Sequence, residues 1–279
     1  MDWAAIDVSN VVWWKFHSTA RRDPLLAVIQ AVTHVPVLCD ELGCERVAFC
    51  HDRAPYKRRQ VWPQYKTHRD KHPGEDSSAE DELRAYIAKI PDYLRLLGYR
   101  NVFARPGYEA DDLMWAVRQA VPAADRLVMV SGDGDLFQLL DGRTASYRPR
   151  TGHGWMTARQ FKSDYGVHPR LWVEVKCLAG DGSDFIPGLD GVGVKTACKF
   201  FAGRLAGTPT HARLLEFNRT PEYARNRRLI ALPFPGVGPV ELHDDLPYPM
   251  RGWKPLGDRL GLAIDGSVPH ARNRELLYG

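Results

Sequence analysis

The chain has 279 residues, 44% of them hydrophobic and 26% charged, with a formal net charge of +4. That is an ordinary globular composition, with enough apolar side chains for a substantial core. No apolar run approaches the roughly 18 residues of a membrane span, and the start, MDWAAIDVSN, lacks the basic residues and long apolar stretch of a secretory signal. A cytoplasmic protein with no membrane partner is expected. The five cysteines, Cys39, Cys44, Cys50, Cys177 and Cys198, are irregularly spaced and form no C-x-x-C pair. This argues against a disulfide framework or a zinc knuckle and for buried free thiols.

In chain order, WAAIDVSN reads as a buried strand that ends at Asp7 in a polar turn. Residues 24–42 have helical spacing, interrupted at Pro36. RVAFCHD is a second buried strand, and it also ends in an acid, Asp52. Between Arg53 and Lys71 stand seven basic residues (Arg53, Lys57, Arg58, Arg59, Lys66, Arg69, Lys71) against the single acid Asp70, interleaved with Tyr56, Trp62 and Tyr65. Such a stripe suits phosphates and unstacked bases, although the same run also reads as a solvated loop.

Beyond the stripe, Ser78 is a candidate cap for a helix that runs toward Gly98 with a bend at Pro91. YRNVFA is a third strand. PGYEADDLMWAV then opens a helix on three acids, Glu109, Asp111 and Asp112. One or two acids suit the positive end of a helix dipole, but three repel one another and call for a cation. RLVMVSGDGDLFQLL is a strand that breaks into a glycine-rich turn holding Asp133 and Asp135. From about Trp155 the pattern turns helical, and GVGVKTACKFF reads as a glycine turn leading into a helix. The last fifty residues are rich in proline and glycine and resist assignment.

Alternating strands and helices with acids at strand ends predict an α/β fold around a mainly parallel sheet, where ligands sit beyond the carboxyl ends of the strands. Asp7, Asp52, Glu109, Asp111, Asp112, Asp133 and Asp135 then converge on one edge. Close carboxylates cannot all remain ionised without cations, and oxygen-only ligation points to hard divalent ions, Mg²⁺ first. Two such ions can activate water and stabilise a leaving oxygen, as hydrolysis of a phosphodiester requires. Singly, each acid also reads as a turn former or cap.

IDVSN, HDRAPYKRR, VWPQYKTHRD, GYEADD, SGDGDLFQLL and GDGSDFIPGLDGVGVKTA occur in the order found in the 5′-nuclease or flap endonuclease family, which the chain resembles from about residue 3 to residue 202. That family includes the nuclease domains of bacterial DNA polymerase I and free-standing bacteriophage enzymes. The resemblance implies a PIN-like α/β core over residues 1–150 with a basic arch or clamp at 53–80. A helix-hairpin-helix region over 151–228 and an extension of unknown role over 229–279 would follow.

It further implies that Asp7, Asp52, Glu109, Asp111 and Asp112 surround one metal ion and that Asp133, Asp135, Asp181 and Asp184 serve a second. Mn²⁺ is expected to substitute for Mg²⁺, with K⁺ at the hairpin. Asp133 and Asp135 would be catalytic, with Lys66 and Arg69 set over the scissile phosphate. Arg58 and Arg59 would bind phosphates, Tyr65 would stack on a base, and Gly191, Gly193 and Lys195 would grip the duplex. The implied activity is that of a structure-specific 5′-nuclease, both 5′-3′ exonuclease and flap endonuclease. Its substrates would be DNA with a flap or free 5′ end, and RNA-DNA hybrid. A monomer that works beside a replicative polymerase or single-strand-binding protein is expected.

Two departures stand beside ligand positions. Phe185 replaces the usual Asn, and His51 precedes Asp52 where Phe is common. A non-catalytic nucleic-acid scaffold and a PIN-like ribonuclease are the alternatives. The full set of acids speaks against the first, and the GVGVK segment against the second.

Overall fold

A computed structural model describes residues 1–18, 23–67, 79–149 and 154–261. Its centre is a six-stranded sheet in the order β3-β2-β1-β4-β5-β6. Strands β1 (Asp2–Asp7), β2 (Arg46–His51), β3 (Val102–Ala104), β4 (Arg126–Val130) and β5 (Thr144–Arg148) are parallel, and β6 (Gly154–Met156) returns antiparallel on β5. The first, second and fourth strands are near-continuous apolar runs, as burial on both faces demands. Ala4, Ile6, Val47, Phe49, Val128 and Val130 point to one layer, and Trp3, Ala5, Ala48, Cys50, Leu127 and Met129 to the other.

On the first face lie α1 (Val8–Ser18), α2 (Pro24–Leu42), α3 (Ala79–Ile87) and α4 (Ile90–Leu96). Asp23 caps α2 by accepting from the Leu26 amide at 2.9 Å, Pro24 occupies its first turn, and Gly43 ends it in a left-handed conformation. Pro36 does not interrupt this helix, contrary to expectation. The apolar side chains on both sides of it, Val28, Val32, Val35 and Cys39, are packed into the core, and that packing offsets one missing hydrogen bond. By length and composition this 19-residue helix could cross a membrane, which corrects the reading that no apolar run comes close. Here it is a core helix, half buried against the sheet, α1 and α3.

The single bent helix expected up to Gly98 is instead the pair α3 and α4. Pro91 starts the second helix, where its fixed φ suits the first turn. The candidate cap Ser78 lies outside the described residues, as does Arg69.

The opposite face carries α5 (Ala110–Ala120), α6 (Ala158–Tyr165), α7 (Trp172–Ala179), α8 (Val194–Phe201), α9 (Pro209–Phe217) and α10 (Pro221–Ile230). One apolar cluster runs from Trp3 through Trp172 and Ala197 to Val237, so the boundary expected at residue 150 falls inside a shared core. After α10 the chain doubles back as a strap that leads into α11 (Lys254–Leu260), which carries Leu256 into the core beside the buried Trp253. All five cysteines are buried free thiols.

Candidate active site

The parallel strands deliver their carboxyl ends to one edge, and the acids follow. Asp7 closes β1, and its two oxygens accept from the Asn10 amide (3.0 Å) and the Ser131 hydroxyl (2.8 Å). Asp52, just past β2, accepts from the Ala110 amide at 2.8 Å and so ties that strand to the start of α5. Glu109 caps α5 in a reciprocal capping box with Asp112, and Asp111 lies in the first turn. Asp133 caps the short 3₁₀ turn Gly134–Leu139, and its amide donates to the Ser131 hydroxyl at 3.1 Å. Asp7, Asp52, Glu109, Asp111, Asp133 and Lys66 line one cleft of about 990 Å³.

Asp135, Asp181 and Asp184 form a second group, with ligand oxygens within 4.8 Å of one another. A tight antiparallel pass of Gly180–Asp181 against Ile186–Pro187 holds it in place. A Cβ at Gly180 would meet Gly188 N at 2.3 Å, so the approach requires glycine, as does its φ of 72°.

Burial dominates the electrostatics. It pushes Asp7 up to about 7, helped by the charges of Asp52 and Asp133. Asp135 is also pushed up to about 7 by burial and then by Asp133. Asp52, Asp111 and Asp184 are raised by burial as well, with further contributions from Glu109, Asp112 and Glu109 respectively. Two acids go the other way. Burial opposes the charge on Glu109, but Lys66 and Arg58 outweigh it, and Lys176 does the same for Asp181. A set of desolvated carboxylates with no sulfur and no imidazole at its centre fits hard divalent cations.

Several expectations are corrected by these contacts. Arg58 is 2% exposed and meets no solvent that could hold a phosphate. Its guanidinium forks onto both oxygens of Asp112 (2.6 and 2.9 Å), reaches Glu109 at 2.8 Å and donates to Leu229 O at 2.8 Å. Asp112, fully buried, also accepts from the Phe234 amide at 2.6 Å, so it is spent on internal bonds rather than on a cleft cation. Tyr65 is likewise buried, with its hydroxyl 2.7 Å from Glu109 Oε2 and 3.0 Å from Asp184 Oδ2, and no base can stack on it. Arg59, by contrast, lines the cleft, where it also donates to Tyr65 O and Lys66 O at 2.9 and 3.2 Å.

Lys66 reaches the cleft, paired with Glu109 and 3.4 Å from Asp184. Gly191, Gly193 and Lys195 are exposed at the turn into α8, away from these ion pairs. Sequence reasoning passed over Lys176, whose ammonium is 3.0 Å from Asp135 and bonded to Asp181. The one signal for it was a lysine one turn before the GD that ends α7. Ser131 and Asn10, which hold Asp7, were also missed. A small polar residue beside an acid reads as a turn.

An acid-rimmed cleft at the carboxyl edge of a parallel sheet, joined to a helical region, is the architecture of a nuclease domain. The chain belongs to the 5′-3′ exonuclease family, matching its N-terminal resolvase-like domain over residues 3–166. It is 32% identical over 184 residues to the thermostable DNA polymerase I of Thermus thermophilus, covering 65% of this chain and 21% of that protein. The chain thus spans about a fifth of the length of such curated relatives. Its fold is similar to that of a bacteriophage T5 5′-exonuclease with zinc bound (TM-score 0.68, 20% identity, 84% of this chain and 90% of that one). It is also similar to the catalytic core of Rad2 in complex with DNA (TM-score 0.54, 13% identity, 99% and 91%).

Proposed function

We propose that the chain is a structure-specific 5′-nuclease that hydrolyses DNA near a 5′ flap or free 5′ end with the help of two Mg²⁺ ions. The observation that carries this reading is two groups of carboxylates joined by Lys66, which pairs with Glu109 of one and lies 3.4 Å from Asp184 of the other. Asp7, Asp52, Asp111 and Asp133 would hold one ion, and Asp135, Asp181 and Asp184 the other, with Glu109 shared through Lys66. When bound, such ions make water a better nucleophile and offset the charge that builds on a phosphoryl group. The protein's own part is to position the substrate. Lys66, which lines the cleft, offers its ammonium group to the phosphate there, and Gly191, Gly193 and Lys195 offer backbone amides and a cation to the duplex behind it.

DNA as substrate is supported by the likeness to Rad2 bound to DNA and by the exposed cations of α8 and α10. A flap oligonucleotide labelled at its 5′ end should be cut in Mg²⁺ and left whole in a chelator. Asp133→Ala should lower the rate by at least about a hundredfold while flap binding persists. Binding without cleavage by the unaltered protein in Mg²⁺, Mn²⁺ and Co²⁺ would overturn the reading.

A further inference from the structure

On α10, between exposed arginines at 227 and 228 and the half-buried Arg225, one polar side chain is sealed from water: Asn226 is 0% exposed. Its carboxamide is fully engaged. Nδ2 donates to Cys177 O at 3.1 Å and to Pro187 O at 2.7 Å, and Oδ1 accepts from the Arg225 guanidinium at 2.9 and 3.3 Å. A buried amide bonded in this way fixes what it touches, because any displacement leaves polar groups stranded. Cys177 lies in the last turn of α7, where carbonyls have lost their helical partners, and Pro187 pairs with Gly180 in the tight pass. Between these two anchors the chain carries Asp181 and Asp184, which make the second acid group with Asp135. Arg225 adds a second hold on the same loop. Its guanidinium lies 4.2 Å from the centre of the Trp62 ring, and the Trp62 indole N–H donates to Phe185 O at 2.8 Å.

Building on the nuclease reading, we propose that Asn226 is a positioning residue for the second metal site, through which α10 sets the loop of Asp181 and Asp184 against Asp135 at the spacing a divalent cation needs. Asn226 touches neither ion nor substrate. It acts on the backbone at both ends of the ligand loop, from 49 and 39 positions further along the chain. Close carboxylates repel one another, so their convergence has to be imposed by such a frame before a cation arrives. Groups that orient ligands in this way commonly govern metal affinity by ten- to a hundredfold.

The test is calorimetric titration of Mn²⁺ into the full chain without DNA, for the wild type, N226A, D181N and the double variant, at a temperature where circular dichroism shows each folded. N226A is expected to weaken the binding event that D181N abolishes by about tenfold and to leave any other within about twofold. In the D181N background the same substitution should change the remaining affinity by less than about twofold. In flap cleavage, N226A should need about tenfold more Mg²⁺ for half its maximal rate, with the KM for DNA nearly unchanged. A simple loss of folded protein would lower the rate without moving that midpoint. W62F, which removes one N–H from the rim of the loop, should shift the same event by a smaller factor, and it decides the matter if N226A does not fold. Unchanged Mn²⁺ affinity in the folded variants, an equal effect of N226A with and without Asp181, or no event lost in D181N would overturn the proposal. Failure of the wild type to cut DNA in Mg²⁺ would instead count against the nuclease reading and leave the calorimetry legible.

Discussion

At the scale of single residues, the site is a contest between desolvation and pairing. Asp7 and Glu109 are both carboxylates at the cleft, yet burial drives Asp7 up to about 7 while Lys66 and Arg58 hold Glu109 down. The sign for Asp7 follows from linkage. Its folded value lies above the ordinary 3.8, so between about pH 4 and pH 7 the folded chain keeps a proton that the unfolded chain has released. Its contribution to stability is therefore fully present below about pH 4 and is lost as pH rises to about 7. In a chelator, Asp7→Asn should match the wild type near pH 4 and melt higher at pH 8, by a few degrees at about 2–4 °C per kcal/mol. Saturating Mg²⁺ should reverse the order at pH 8. Melting curves of the two proteins at both pH values check this, and an equal difference at pH 4 and 8 would contradict it.

At the scale of elements, the segment after α10 is a strap that fastens the sheet. Asp245, 2% exposed, accepts from the amides of Arg100 and Asn101 at 2.5 and 2.6 Å, and its own carbonyl accepts from the Val47 amide at 3.0 Å. Tyr108 and Tyr99 donate their hydroxyls to Pro235 O and Pro247 O at 3.1 and 2.5 Å. The strap thus holds the start of β3 and, through the Phe234 amide on Asp112, the base of the active-site helix α5. Asp245→Ala strands two amides, one of them on the fully buried Asn101, and should cost about 1–3 kcal/mol. Urea unfolding measures this, and an unchanged midpoint would show that the strap is an ornament on the sheet. None of this was legible in LPFPGVGPVELHDDLPYPM, because an extended segment without periodicity carries no local sign of what it binds.

At the scale of the whole molecule, the modest net charge of +4 conceals segregation. Acids gather in the cleft, while Lys195, Lys199, Arg213, Arg219, Arg227 and Arg228 are exposed along the helical region that follows it. A surface that neutralises about four phosphates should lose about a hundredfold in DNA affinity between 50 and 200 mM salt. Anisotropy titrations across that range test it, and a flat response would mean that the cations do not track the backbone.

The alternation of apolar strands and amphipathic helices, and the placing of Asp7 at a strand end and of Asp52, Asp133 and Asp135 shortly past one, were determined by the sequence alone. Strand burial, turn chemistry and helix caps act over a few residues, and a parallel sheet brings such ends to one edge whatever the details. Which carboxylates remain for cations was decided only by the tertiary structure. Arg58 takes Asp112 from 54 positions away, Lys66 takes Glu109 from 43, and the Phe234 amide reaches Asp112 across 122. Partners so distant in the chain leave no periodic trace, and their pairing depends on how closely packed elements exclude water. Three acids within four positions that look alike in the sequence therefore become a helix cap, a carboxylate lining the cleft and a buried counter-ion.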